Sequence, residues 1–310
     1  MQLINKDLVG LEGVSAEEIA HILDSAKSMK DYLQQGVKKM PQLQNKSIVT
    51  LFYENSTRTK MSFDLAGKYL GASMSAIAAS SSSIQKGETL LDTGRTLEAR
   101  GIDIIIMRHP MSGAPEFLGR NISARVINAG DGMHEHPTQA LLDMYTMQEK
   151  LGRLAGLKVA IIGDILHSRV ARSNLHGLKT MGADVTLCGP GTLMPVEIEK
   201  TGVKVTYDIR EAVKDADVVM GLRLQLERQK SGLLPSLREY NELFGVNSEV
   251  LKLAKPHALI MHPGPVNRGV EMDTDIIDHD RSVITEQVTN GVAVRMALLY
   301  IMTRKKEDIV

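Results

Sequence analysis

The chain contains no tryptophan, only four phenylalanines and a single cysteine, Cys188. One thiol can neither close an intrachain disulfide nor supply a multi-cysteine zinc site, which suits a reducing cytoplasm. An excess of either charge is missing too, with 37 Lys and Arg against 37 Asp and Glu. No global basic field therefore favours nucleic acid, and any positive site must be local. No basic-then-apolar leader opens the chain. The uncharged stretch Leu70 to Gln85 is mostly Gly, Ala and Ser, too polar to span a bilayer. Internal repeats, a P-loop and metal-ligand clusters are absent, so neither a metal nor an organic cofactor is expected.

What is present is the composition of an ordinary soluble globular protein, 43% hydrophobic and 24% charged. A length of 310 residues is large for one core, and two domains are expected. Lys46 to Tyr53 is rich in β-branched and aromatic residues and reads as a buried strand. From Thr57 the period becomes helical, with Met61, Leu65 and Tyr69 recurring beside Phe63, Ala66 and Leu70 until Gly71 stops the run. Ser56-Thr57-Arg58-Thr59 thus lies where a strand hands over to a helix, whose first N–H groups lack intrahelical partners and whose dipole is positive. Hydroxyls and a guanidinium at that place make a receptor for a small, doubly charged oxyanion. Ser and Thr are also ordinary N-caps, so the tetrapeptide alone leaves both readings open.

The rest of the chain repeats this grammar. Ser15 to Tyr32 is an amphipathic helix opened by a Ser15/Glu18 capping box. Ala72 to Ala79 is a weak strand. The Ser-rich loop Ser80 to Glu88 is either a plain surface connection or a lid in which Ser82 and Lys86 cover an anion. A helix over Glu88 to Arg100 leads into the strand Gly101 to Met107, which ends in Arg108-His109-Pro110. Ser123 to Asn128 is a further strand, followed by a turn at Ala129 to Gly132. Next, His136 and Gln139 flank Pro137 at the start of a helix running to Leu151. His136 is either a cap or a donor to a carbonyl oxygen; the His134/His136 spacing suits no zinc site.

From Gly156 the alternation restarts with the strand Leu157 to Ile162, the helix His167 to Met181 and the strand Ala183 to Cys188. This is a Rossmann-like βαβ unit without G-x-G-x-x-G, which disfavours a dinucleotide, and Arg169 occupies the turn instead. Later strands, Val203 to Tyr207, Ala216 to Met220 and His257 to Met261, lead in turn to Arg223-Leu224-Gln225 and His262-Pro263-Gly264-Pro265. The final helix, Glu286 to Thr303, is expected to pack Val288, Val292, Met296, Leu299 and Tyr300 on one side. Parallel strands share one carboxyl edge, so these separated cations are expected to converge on one cleft.

Taken together, Ser56 to Thr59, Ser82 with Lys86-Gly87-Glu88, Met107 to Pro110, His136 to Gln139, Arg223-x-Gln225 and His262 to Pro265 resemble the aspartate/ornithine carbamoyltransferase family, on its aspartate branch. The likeness spans essentially the whole chain, with every motif in order. It implies an α/β fold of two doubly wound parallel-sheet domains joined by interdomain helices. Residues 1–137 would bind carbamoyl phosphate and 138–287 L-aspartate, with the C-terminal helix, 288–310, packing back on the first domain.

The resemblance further implies transfer of a carbamoyl group to aspartate in pyrimidine synthesis, by a cytoplasmic homotrimer in which Ser82 and Lys86 serve a neighbouring subunit's site. It admits a regulatory chain or a dihydroorotase as further partners, and no membrane or nucleic acid. Ser56, Thr57, Arg58, Thr59 and Arg108 would hold the phosphate, while Thr59, Arg108 and His136 polarise the carbamoyl oxygen. Gln139 and the backbone at Gly264-Pro265 would take the carbamoyl amino group. Arg169 and Arg223, with Gln225 and Lys86, would fix aspartate. One departure is Gly264, where a larger residue is common and a softer turn is expected. An ornithine site would need acidic or thiol groups where Arg223 and Gln225 stand, and a noncatalytic scaffold would need none of Arg58, Lys86, Arg108 and His136.

Overall fold

A computed structural model describes residues 3–78, 87–225 and 232–303; Ser82 and Lys86 lie outside the described residues. The chain divides into two compact units, Met1–Leu142 with Val288–Val310, and Asp143–Gln287.

The first unit opens with α1 (Ala16–Gln34), whose Ser15/Glu18 capping box is formed as its sequence dictates. The alternation β1 (Ser47–Phe52), α2 (Thr57–Tyr69), β2 (Ser73–Ala78), α3 (Leu90–Ala99), β3 (Ile104–His109), α4 (Ala114–Asn121) and β4 (Arg125–Asp131) follows. The four strands are parallel in the order β2-β1-β3-β4. Val49, Leu51, Ile105, Met107 and Val126 meet Leu97 and Leu118 of the covering helices in its core. Burial on both faces explains why β3 reads as an unbroken apolar run. The strand order reverses between β1 and β3, and ligands of open α/β sheets bind at such reversals.

The helix α5 (Pro137–Leu151) carries the chain into the second unit, where β5 (Lys158–Ile162), α6 (Arg169–Thr180), β6 (Asp184–Cys188), β7 (Lys204–Thr206), α7 (Ile209–Val213) and β8 (Val218–Gly221) are followed by α8 (Leu237–Phe244), α9 (Ser248–Leu251), β9 (Leu259–Met261) and α10 (Thr274–Ile277). This sheet is also parallel, in the order β7-β6-β5-β8-β9, and its order reverses between β5 and β8. Its amino edge is closed by Asp217, 1% exposed, which accepts from the Lys158 N–H at 2.9 Å and from Lys255 Nζ at 2.8 Å. Finally α11 (Ile284–Thr303) returns to pack on the first unit.

Three local expectations are revised. In α2 the buried stripe is Thr59, Phe63, Ala66 and Gly67, while Met61 is 59% exposed. Both stripes have helical period, and packing on the sheet selects the one carrying the aromatic ring. In α11 Val288 is exposed and burial runs through Ala293, Val294, Met296, Ala297, Leu298 and Leu299, so the helix is enclosed nearly all round past its first turns. The turn expected from Ala129 is the end of β4, which runs on to Asp131 because the Asn128 and Asp131 side chains organise the backbone beyond it.

Candidate active site

In the first unit the β1–α2 connection delivers Ser56 to Thr59 beside the sheet reversal. Ser56 is the N-cap of α2, yet its side chain makes no capping hydrogen bond. The other Ser and Thr N-caps of described α-helices, Ser15, Thr89, Ser168 and Ser236, all cap in the ordinary way. The first turn of α2 also contains no acidic residue. The positive end of α2 therefore carries neither a side-chain cap nor an acid of its own first turn, with Arg58 exposed and Thr59 buried beside it.

Strand pairing sets Arg108 level with Phe52, and the Tyr53 N–H donates to the Arg108 carbonyl at 2.9 Å. The Arg108 side chain is only 14% exposed; its guanidinium lies 3.3 Å from Glu54 through Nε and donates to the Ala129 carbonyl through Nη1. Arg108, paired with Glu54, therefore stands at the end of the strand beside the β1–α2 connection. At the end of β4, Asn128 Nδ2 donates to Asp131 Oδ1 at 2.7 Å and to the Glu135 carbonyl at 3.1 Å. Glu135 accepts from the Leu11 N–H at 2.8 Å, pinning the turn that carries His136 to the N-terminal segment. His134 turns to Asp131, whose hydrogen bond holds its imidazole above the usual value. His136 and Gln139 lie at the start of α5, both buried.

In the second unit the equivalent reversal carries Arg169 and Arg223. Gly163 ends β5 at φ +137°, and a Cβ there would meet the Leu222 carbonyl at 2.9 Å. Only glycine lets the β5 and β8 turns approach so closely. Asp164, fully buried, accepts from the His167 N–H at 3.1 Å, pairs with His167 Nδ1 at 2.8 Å and receives the Gln225 N–H at 3.4 Å. That carboxylate ties the turn leading to Arg169, the first residue of α6, to the segment bearing Arg223 and Gln225. After β9, His262 Nδ1 accepts from the Gly264 N–H at 2.8 Å, and Gly264 has φ +66°, a conformation that suits glycine and accounts for the residue found there.

The sequence thus points to Ser56, Thr57, Arg58, Thr59 and Arg108 at strand ends of one sheet, with His136 and Gln139 at the start of α5, and to Arg169, Arg223, Gln225, Gly264 and Pro265 in the segments that follow strands of the other. It missed the residues behind them: Asp164, Glu271 and Arg295. Arg295 is 3% exposed in α11, donates to Ser62 Oγ of α2 at 3.0 Å and Thr138 Oγ1 of α5 at 3.4 Å, and lies over the Phe63 ring. A lone cation in the apolar run Val292 to Met302 was the available signal. Among the described residues, no group of three or more His, Cys, Asp and Glu side chains could hold a metal ion, and no helix is long and apolar enough to cross a membrane.

Residues 6–149 match the family model for the carbamoyl-P binding domain of aspartate/ornithine carbamoyltransferases, and residues 155–302 the model for the Asp/Orn binding domain. The chain belongs to the aspartate/ornithine carbamoyltransferase family. Within it, the aspartate carbamoyltransferase catalytic subunit of Ruminiclostridium cellulolyticum is 65% identical over 98% of this chain and 97% of its own. The aspartate transcarbamoylase of Trypanosoma cruzi, solved with carbamoyl phosphate and aspartate, is 33% identical at a TM-score of 0.86, covering 96% and 97% of the two chains. The ornithine carbamoyltransferase of Pyrococcus furiosus reaches the same TM-score at 32% identity, again covering 96% and 97%. Backbone likeness therefore does not separate the two branches of the carbamoyltransferase family; side chains must.

Proposed function

We propose that the chain transfers the carbamoyl group of carbamoyl phosphate to the amine of L-aspartate, giving N-carbamoyl-L-aspartate and phosphate for pyrimidine synthesis. The observation that carries the phosphate half is the start of α2, where the Ser56 side chain does not cap and no acid occupies the first turn. The 65% identity to an aspartate carbamoyltransferase catalytic subunit supports the choice of amine, as do Arg223 and Gln225, which suit a dicarboxylate better than a cationic amino acid.

In this reading Ser56, Thr57, Arg58, Thr59 and Arg108 hold the phosphate, and Gln139 with the Gly264-Pro265 backbone holds the carbamoyl amino group. Attack of the amine builds negative charge on the carbamoyl oxygen, and Thr59, Arg108 and His136 donate to it. Losing one such donor costs about 3–4 kcal/mol of barrier. Arg169, Arg223 and Lys86, with Gln225, neutralise aspartate, which removes the repulsion between two anionic substrates and holds them for reaction. The amine's proton passes to the departing phosphate. The assembly is a cytoplasmic homotrimer, each site completed by Ser82 and Lys86 of a neighbour; a regulatory chain or dihydroorotase is a further candidate partner.

Phosphate release from carbamoyl phosphate, measured with aspartate and with ornithine, tests the reading. Aspartate-dependent turnover is expected. Turnover with ornithine alone would place the chain on the other branch, and none with either amine would favour a noncatalytic scaffold.

A further inference from the structure

Glu271 lies outside every motif that carries the carbamoyltransferase likeness, yet it is 1% exposed and its carboxylate is fully engaged. Oε1 accepts from the Leu224 N–H at 2.9 Å and from Asn267 Nδ2 at 2.8 Å, while Oε2 accepts from the Asn267 N–H at 2.9 Å. Leu224 stands between Arg223 and Gln225, and Asn267 follows Gly264-Pro265 by two residues. One buried carboxylate therefore spans the turn after β8 and the turn after β9.

Both ends of this link are anchored. The Leu224 side chain is fully buried in the core with Tyr240, Phe244 and Met272. The Glu271 carbonyl accepts from the Val246 N–H at 3.0 Å, and Val246 pairs with Met272 in a short parallel bridge. Three N–H donors on two oxygens require an acceptor-only group, which an ionised carboxylate is and a glutamine amide is not. Burial pushes the Glu271 carboxyl up, so the site would favour a neutral side chain if packing alone mattered.

We infer that Glu271 is a positioning residue, holding the Arg223–Gln225 turn and the Gly264–Asn267 turn in one fixed register for capture of the dicarboxylate substrate. This rests on the proposed reading of Arg223 and Gln225 as aspartate ligands. Glu271 touches no substrate; it keeps the arginine-bearing backbone where a carboxylate can be gripped in bidentate fashion, geometry that guanidinium binding demands. Loss of the link loosens the turns without removing a ligand, so the effect falls on aspartate before it falls on chemistry.

Steady-state kinetics on Glu271→Gln, Asn267→Ala and Arg223→Ala test this in the full chain. Glu271→Gln keeps the shape but presents one donor to another donor. The aspartate KM is expected to rise at least tenfold at saturating carbamoyl phosphate, with kcat falling less and inorganic phosphate binding within twofold of wild type. Asn267→Ala, which removes one bond of the three, is expected to raise that KM about threefold. A merely structural role would lower Tm and the active fraction while leaving the KM of the active enzyme unchanged, and that result for Glu271→Gln overturns the inference. Should Glu271→Gln not fold, an unchanged aspartate KM in Asn267→Ala overturns it alone. If Arg223→Ala leaves the aspartate KM unchanged, the ligand reading of that turn falls and takes this role with it. If Arg223→Ala raises it and Glu271→Gln does not, only the positioning role falls.

Discussion

Arg58 is a cation placed where the helix itself disfavours one. It is exposed in the first turn of α2, next to backbone N–H groups that have no partner within the helix and at the positive end of the dipole. A cation in a first turn costs typically 0.3–1 kcal/mol, and alanine is the best helix former. No core atom leaves with the side chain, and exposed substitutions usually stay within about 0.5 kcal/mol. Arg58→Ala should therefore change stability little, with Tm within about 1–3 °C of the wild type. Turnover, by contrast, should fall. Loss of one charged donor to the dianion should cut kcat/KM for carbamoyl phosphate by about 10²–10³. The two readouts are combined in one titration, because a ligand that binds only the folded state raises Tm. Inorganic phosphate should raise the Tm of the wild type and not that of the variant. Near-normal turnover in Arg58→Ala, or a phosphate-induced rise in Tm as large as the wild type's, would refute the placement of the phosphate.

Mixing Lys86→Ala chains with His136→Ala chains should restore part of the activity, since the proposed trimer can assemble one intact site from the two; mixtures that stay dead after verified exchange argue for sites built within one chain. Burial, with Asp208 and Glu211 adding repulsion, pushes the Cys188 thiol up to about 12, so it should resist labelling at neutral pH until the second unit opens; rapid labelling of the native protein would contradict that packing. Burial alone would raise Asp217, but Lys255, the Lys158 N–H and His257 hold it below the ordinary carboxylate value of 3.8. Asp217→Asn should cost about 2 kcal/mol at neutral pH. A depressed carboxyl contributes stability above its unfolded value and loses it as pH falls through the folded one, so wild type and variant should converge in denaturant midpoint below about pH 3.8.

The readable parts of this chain were those where one residue carries its own reason. Strands such as Ile104 to Met107 are legible because a parallel strand buried on both faces cannot hide its composition. The turns that follow them stand out because guanidiniums recur after strand upon strand, whereas a lone Ser or Thr at such a junction is an ordinary N-cap, as Ser15, Thr89, Ser168 and Ser236 are. What escaped depends on partners far along the chain. Asp164 meets Gln225 across 61 residues, Glu271 meets Leu224 across 47, and Arg295 meets Ser62 across 233. No local period encodes such pairs. The choice between the Met61 and Phe63 stripes of α2 was likewise settled by the sheet beneath the helix.

The two units solve the same topological problem with different chemistry. Each reverses its strand order once, between β1 and β3 or between β5 and β8, and each reversal presents two turns side by side. In the first unit the proposed anion receptor is the start of α2, whose first turn holds no acid and whose Ser56 side chain does not cap, with Arg108 paired to Glu54. A helix terminus needs little positioning, because its N–H groups are aimed by the helix itself. In the second unit the cations are side chains on short turns, and short turns do not aim themselves. There the buried acids Asp164 and Glu271 stand behind the arginines, gripping the backbone N–H groups of Gln225 and Leu224. A phosphate can be met by a rigid helix end, whereas a flexible dicarboxylate must be held at two points whose spacing is fixed. If Arg169 and Arg223 grip the dicarboxylate as proposed, the buried carboxylates serve substrate selection as well as folding, and replacing them should raise the aspartate KM more than it lowers kcat.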